Sequence, residues 1–238
     1  MIHMIFQKPY HKKTNKSSIL IIYSTLLNEF GHRNWWPAES HFEVIIGAIL
    51  TQNVAWNNVK KAINNLKSEC LLDADKLHVT DVNDIAPLIK SSRYYNQKSQ
   101  KIKKFLDFLF SEYNGNLSIM AEEDTVILRA KLLKINGLGE ETVDSILLYA
   151  CNRPIFVVDA YTKRIFSRYG LFSEDSTYEE IQIFFMQNLP ENIELFNDYH
   201  AQIVILGNSI CKKDPLCSQC PIRYIDSKNK CKYFTQHV

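Results

Sequence analysis

Residues 135–146 read INGLGEETVDSI, two glycines with two acids behind them, in a chain that has only seven glycines among 238 residues. Gly137 and Gly139 therefore mark a place where the backbone must be bare or take a positive φ. An apolar helical pattern ends near Lys134 and another starts at about Glu140, so the stretch reads as a helix-hairpin-helix. Such a turn can offer backbone N–H groups and a helix N-terminus to a phosphate, although a GxG serves any tight turn between helices. Glu140 and Glu141 suit the positive end of the helix dipole.

Periodicity carries the reading outward in both directions. Apolar residues recur at helical spacing over 18–30 and over 42–66, where Val59, Ala62, Ile63 and Leu66 fall at i, i+3, i+4 and i+7. Further helices are predicted near 82–90, 97–112, 123–134, 140–151, 160–169, 177–188 and 195–209. PIFVV at 154–158 is the one strand-like run, and without a partner it reads as a buried connection. The predicted fold class is all-α.

Composition narrows the class of function. Hydrophobic residues make up 46%, charged residues 23%, and the net charge is +2, which describes a globular protein and leaves its partners undecided. No apolar run reaches the roughly 20 residues that span a bilayer, and the N-terminal residues lack a secretory pattern. The expected setting is a reducing bacterial or archaeal cytoplasm, near the nucleoid, with no membrane partner. Lys8, Lys12, Lys13 and Lys16 form a basic arm, and Arg93, Lys98, Lys101, Lys103 and Lys104 lie in an acid-free run. Each is a solvated face on the plain reading and a phosphate-tracking surface on the sharper one.

Four of the six cysteines crowd the C-terminus as C-x5-C-x2-C-x10-C: Cys211, Cys217, Cys220 and Cys231. In a reducing compartment this set points to a metal centre, and spacing alone does not choose between zinc and iron–sulfur. Cys70 and Cys151 read as buried small apolar residues. Asp159 follows the apolar run and begins a helix, where an N-cap is the plain reading. Trp35, Trp36 and Trp56 are all the tryptophans, and hydrophobic core is theirs.

Taken in order, the hairpin, its helix, the buried run, the aspartate and the cysteines, with FEVIIGAILTQN (42–53), YYNQKS (94–99) and VVDAY (157–161), resemble the helix-hairpin-helix DNA glycosylases of the endonuclease III superfamily. The resemblance covers nearly the whole chain. It implies two helical domains flanking a DNA-binding cleft: residues 34–153 as a central barrel, and 1–33 with 154–238 as the second domain. The second would carry a 4Fe-4S cluster on Cys211, Cys217, Cys220 and Cys231. Double-stranded DNA with a damaged base would be the partner of a monomer, and the base would be flipped out before cleavage. Asp159 would be the essential aspartate, stabilising an oxocarbenium-like sugar and orienting or deprotonating water.

Bifunctional members of the superfamily place a lysine eighteen residues before the aspartate, and that position here is Glu141. A carboxylate forms no imine, so the resemblance implies a monofunctional glycosylase that leaves an abasic site uncut, with Glu141 on the pocket wall. WWPA ahead of FEVIIGAILTQN, with an aromatic three residues after Asn53, is similar to 3-methyladenine DNA glycosylase III. That likeness makes Trp35, Trp36, Pro37 and Trp56 the substrate pocket, suited to cationic alkylated purines. Gln52 or Asn53 would fill the gap left by the flipped base, and Tyr94 would wedge into the opposite strand. Gly137 and Gly139 would meet phosphate, with a place for a monovalent cation at the hairpin. The last cysteine gap is ten residues against the usual five, a departure from the cluster motif. A glycosylase for uracil, mismatched thymine or oxidised pyrimidines, and a non-catalytic iron–sulfur damage sensor, are the alternative readings.

Overall fold

The computed structural model describes residues 16–225 and 230–237, so Lys8, Lys12 and Lys13 of the basic arm lie outside the described residues. Helices α1 (Lys16–Phe30) and α2 (His41–Leu50) open the fold. Residues 42–66 do not form one helix: α2 stops at Leu50 and α3 runs Trp56–Ser68. The periodicity bridges the break, but the two halves differ in kind. Every residue of α2 after His41 is buried, whereas α3 buries only the Val59, Ala62, Ile63 and Leu66 stripe. Between them Thr51 caps α2 by donating its hydroxyl to Gly47 O (2.6 Å), and Asn53 turns the chain at φ 55°.

Helices α4 (Ala74–Val79), α5 (Val82–Leu88), α6 (Tyr95–Tyr113), α7 (Leu117–Glu122) and α8 (Thr125–Leu133) follow. Asp73, Asp81, Asn116 and Asp124 cap α4, α5, α7 and α8 with side-chain oxygens. α4 and α7 span six residues each, too short for periodicity to reveal. After the hairpin, α9 (Glu140–Ser145) widens into a π-helical turn over Ile146–Ala150. Then come α10 (Ala160–Tyr169), α11 (Tyr178–Asn188), α12 (Ile193–Ser209) and α13 (Lys232–His237). Among the described residues there is no strand, and the 154–158 run is a buried connection.

The first helix meets the last long one. Tyr199 donates to Ile19 O (3.0 Å), Tyr23 to Asp198 Oδ2 (3.1 Å), and Gln202 Nε2 to Gly31 O (2.7 Å), so α1 and the segment behind it lie along α12. A second tie fixes the approach to Asp159. Fully buried Asp144 on α9 receives Arg129 Nε (2.7 Å) and Nη2 (3.0 Å), the Tyr178 hydroxyl (2.8 Å) and Gln182 Nε2 (2.7 Å). Gln182 also holds Phe156 O (2.7 Å), and Val158 N donates to Tyr178 (3.3 Å). A buried carboxylate is tolerated only when paired and saturated in this way, and the pairing aims residues 156–158 at the site.

Two expectations fail here. Cys70 is exposed, in the positive-φ position just after α3, while Cys151 is buried. Nor is the basic run a free face throughout: Arg93 and Lys104 are exposed, but Lys98, Lys101 and Lys103 are not. Lys98 shares a buried stripe of α6 with Ile102, Phe105 and Leu109. Only 2% exposed, it donates to Leu50 O (2.8 Å) and Ser92 O (2.5 Å). Lys103 bonds His78 O and Thr80 O.

Candidate active site

Asp159 is the N-cap of α10. Its Oδ1 accepts from Thr162 N (2.7 Å) and Thr162 Oγ1 (2.8 Å), completing a capping box, so the plain reading of the residue is correct. That leaves Oδ2 turned away from the helix. His200 of α12 brings Nε2 to 3.5 Å from it, and both side chains are under a tenth exposed. On the far side of the ring, His200 Nδ1 lies 2.5 Å from the Tyr149 hydroxyl. Burial alone would raise the Asp159 carboxyl; His200 and the two Thr162 bonds outweigh it and hold the acid below its ordinary value.

Glu141, in the first turn of α9, faces this group electrostatically. Although its side chain reaches solvent, its own acid is raised, first by partial desolvation and then by repulsion from Asp159, with His200 opposing. Asp159, an ionised carboxylate, and Glu141, a reluctant one, thus share a site without an assigned cation between them.

The tryptophans converge. Trp35, Trp36 and Trp56 lie pairwise with centroids 5.0–5.1 Å apart, and Tyr149 adds its ring 5.3 Å from Trp36. Gly47 makes room on α2, where a Cβ would stand 3.1 Å from the Trp36 ring. Pro37 is exposed and joins Trp36 and Trp56 in lining a cavity of about 320 Å³, beside Glu43 and Lys67, which pair at 3.0 Å. The tryptophan cluster and Asp159 are therefore linked through Tyr149 and His200. Neither Tyr149 nor His200 was singled out in the sequence, where His200 lies 41 positions from Asp159 and in a helix of apolar periodicity.

Three loops gather beside the site. Gln52 bonds Gly137 O (3.2 Å) and Thr142 Oγ1 (2.8 Å), and it accepts from Lys101, which joins the turn before α3 to the hairpin. Lys98 ties the end of α2 to the loop carrying Tyr94, which is 64% exposed at φ 45°. Asn53 is exposed on the first loop. At the hairpin only Gly137 takes a positive φ, 98°, and a Cβ there would meet Lys101 Cε at 2.7 Å. Gly139 is extended, and the space beside it is open. The pair thus divides the work: one glycine makes the turn, the other keeps the start of α9 bare.

Residues 46–191 match the HhH-GPD superfamily of base excision DNA repair proteins. The chain belongs to that superfamily. A candidate DNA repair glycosylase of Methanocaldococcus jannaschii is 50% identical over 214 residues, 89% of this chain and 97% of the relative. Endonuclease III of Thermotoga maritima is 30% identical over 194 residues, 81% of this chain and 83% of that one. Among solved structures, H. pylori 3-methyladenine DNA glycosylase bound to 1,N6-ethenoadenine superposes with a TM-score of 0.71 at 25% identity, covering 81% of this chain and 96% of that one. An endonuclease III–DNA covalent intermediate shares the fold, with a TM-score of 0.78 at 21% identity, over 93% and 98% of the two chains. Membership makes this HhH-GPD chain a DNA glycosylase of base excision repair, with DNA as its partner, and leaves the lesion and the fate of the sugar to its own residues.

The four C-terminal cysteines of the HhH-GPD chain line one cavity, with Arg168, Ile210 and Tyr233 among its other walls. The long last gap is absorbed by a fold-back. Tyr224 and Lys230 form an isolated antiparallel bridge, and Cys231 N donates to Arg223 O (3.0 Å), so Cys231 returns to the other three. Burial pushes the Cys220 thiol up to about 12, and the charges of Cys211, Cys231 and Cys217 add to the shift. Arg168 sets a guanidinium nitrogen 3.5 Å from Cys211 Sγ. Among the described residues no three such side chains close on a single ion position. Four thiols spread around one cavity beside a cation fit a polynuclear cluster, in which each iron takes one thiolate.

Proposed function

We propose that the protein is a monofunctional DNA glycosylase for alkylated purines such as 3-methyladenine, and that it leaves an abasic site. The observation that carries this reading is the partner of Asp159: a carboxylate, Glu141, stands where the imine-forming lysine of the bifunctional enzymes would be, next to a cluster of indoles.

The base leaves the duplex first, helped by the loops of Gln52, Asn53 and Tyr94, while backbone N–H groups near Gly137 and Gly139 meet phosphate. Ionised Asp159 then faces the sugar as positive charge develops there and orients the attacking water. An N3- or N7-alkylated purine is already cationic and leaves readily, so the site needs aromatic faces more than a strong general acid. Trp35, Trp36 and Trp56 supply those faces, with Pro37 at their edge and Glu141 on the wall. In this reading residues 34–153 form the central domain and 1–33 with 154–238 the second. Cys211, Cys217, Cys220 and Cys231 would hold a 4Fe-4S cluster, which when bound supplies structural cross-linking of the C-terminal segment.

The test is base release from methylated duplex DNA, with and without subsequent alkali. Release of methyladenine with strand breaks only after alkali is expected, and Asp159→Asn should bind the DNA without turnover. Breaks before alkali would refute the reading of Glu141. No release from methylated DNA, with activity on uracil or mismatched thymine instead, would replace the substrate. Equal behaviour of wild type and Asp159→Asn in every release assay would leave a DNA-binding sensor.

A further inference from the structure

With Oδ1 of Asp159 committed to Thr162, the orientation of the carboxylate depends on what meets Oδ2. The approaching atom is His200 Nε2, 3.5 Å away, buried and without a hydrogen-bond partner of standard geometry among the described residues. An orphaned ring nitrogen aimed at a buried carboxylate needs an account. The account lies on the other side of the ring, where the Tyr149 hydroxyl is 2.5 Å from Nδ1.

We propose that His200, set by Tyr149, is the positioning residue for Asp159, presenting Nε2–H to Oδ2 and so fixing the rotamer and the ionised state of the acid that acts on the sugar. This rests on the reading of Asp159 given above. The chemistry of imidazole makes the arrangement directional. In the neutral ring one nitrogen carries hydrogen; a phenol donating to Nδ1 leaves that hydrogen on Nε2. In the imidazolium both nitrogens carry hydrogen, and the phenol oxygen accepts instead. Either way Nε2 donates, and a shift of a few tenths of an ångström closes the bond, as acid–base contacts in an unliganded site commonly require.

Tyr149 is itself locked. It belongs to the π-helical turn, is 7% exposed, and packs its ring 5.3 Å from Trp36. The order Trp36, Tyr149, His200, Asp159 therefore links the indole cluster to the acid through side chains in contact. The logic is that of a base oriented by a third group, with carboxylate and imidazole exchanging roles.

The titratable groups facing Asp159 are Glu141 from α9, Tyr149 from the π-helical turn and His200 from α12. Glu141 opposes its ionisation, and His200 favours it. Removing His200 should therefore move the acid limb of the single-turnover pH profile upward, by about one unit or more.

The experiment compares wild type, His200→Leu, His200→Gln and Tyr149→Phe on a duplex carrying one alkylated purine, alongside affinity for an abasic-site duplex. His200→Leu is expected to shift the acid limb upward with DNA affinity unchanged. His200→Gln, which keeps an N–H near the place of Nε2, should return the limb toward wild type, and Tyr149→Phe should fall between. A wild-type limb in His200→Leu, or equal losses in the Leu and Gln variants, would overturn the proposal. A measurement on the unaltered protein covers variants that do not fold: the ¹⁵N shifts of His200 should show hydrogen on Nε2, and a neutral ring carrying it on Nδ1 would refute the assignment. An active Asp159→Asn would sink the catalytic reading itself, whereas an inactive one beside an unshifted His200→Leu would sink only the role of His200.

Discussion

Thr162 takes one oxygen of Asp159 at 2.7 and 2.8 Å, and His200 approaches the other at 3.5 Å, so capping a helix and serving as a reactive acid are compatible uses of one carboxylate. The cap supplies pre-organisation: the rotamer that satisfies the N-terminus of α10 is the one that turns Oδ2 toward the cleft. Glu141 works against this pairing. Its acid is raised, by partial desolvation first and by Asp159 second, so the folded state holds its proton more tightly than the unfolded chain does. The sign follows from that. Below its unfolded value near 4.5 the residue costs nothing; as pH rises through the folded value the native protein carries an unfavourable charge. Glu141→Gln should therefore melt higher than wild type at pH 7, with the gain vanishing as the pH falls toward 4, as read by thermal melts across that range. A gain that persists at pH 4 would show that charge is not its origin.

At the scale of elements, sequence periodicity exposes most of the helices: α1, α5, α6, α8, α10, α11 and α12 fall within two residues of expectation, while six-residue α4 and α7 escape it. The errors have a common cause. Residues 42–66 look continuous because apolar spacing survives the break at 51–55, where Thr51 caps α2 and Asn53 turns the chain ahead of α3. Lys98 looks solvated because a lysine in a basic run nearly always is, yet its place on the inner stripe of α6 carries the ammonium to Leu50 O and Ser92 O. One carbonyl ends α2 just ahead of the Asn53 loop and the other lies beside Tyr94, so one buried side chain holds both loops in register. Burial, with Lys101 adding repulsion, lowers its pKa to about 8. Its contribution to stability is thus full above the unfolded value of 10.5 and falls as pH drops through about 8. Lys98→Met should cost about 2 kcal/mol by leaving two carbonyls without a donor. The deficit against wild type should grow between pH 8 and 10.5, as measured by denaturant unfolding. The variant should also bind DNA more weakly, because the two loops lose their common anchor. A deficit flat across that pH range would mean that the ammonium is not the strained group.

Over the whole molecule, legibility followed sequence distance. Asp159 and Glu141 could be singled out as candidates because they stand eighteen residues apart within one stretch. His200, Tyr149 and Asp144 could not, since each acquires its role only when α12 or α11 is folded against α9 and α10. The cysteine tail is the intermediate case. Its four members were visible at once, but the ten-residue gap separates Cys231 in sequence from the cavity that it lines with the other three, and the bridge between Tyr224 and Lys230 brings it there. That fold-back leads to the last prediction. Cys231 sits between the fold-back and α13, which packs on α10, and Arg168 of α10 lies 4.8 Å from the Tyr233 ring. A cluster bound there would pin this C-terminal segment to the helix that starts at Asp159. Anaerobically purified protein should be brown, absorb broadly near about 400 nm and contain iron with sulfide. Cys231→Ser should lose colour and lower the melting temperature, while the α2–α9 region keeps its amide-exchange protection, since none of the four thiols lies there. Colourless protein with one bound zinc would show that the thiols close further than they do here and form a tetrahedral site. That outcome would change the metal and leave the chemistry at Asp159 untouched, because no thiol of the set takes part in it.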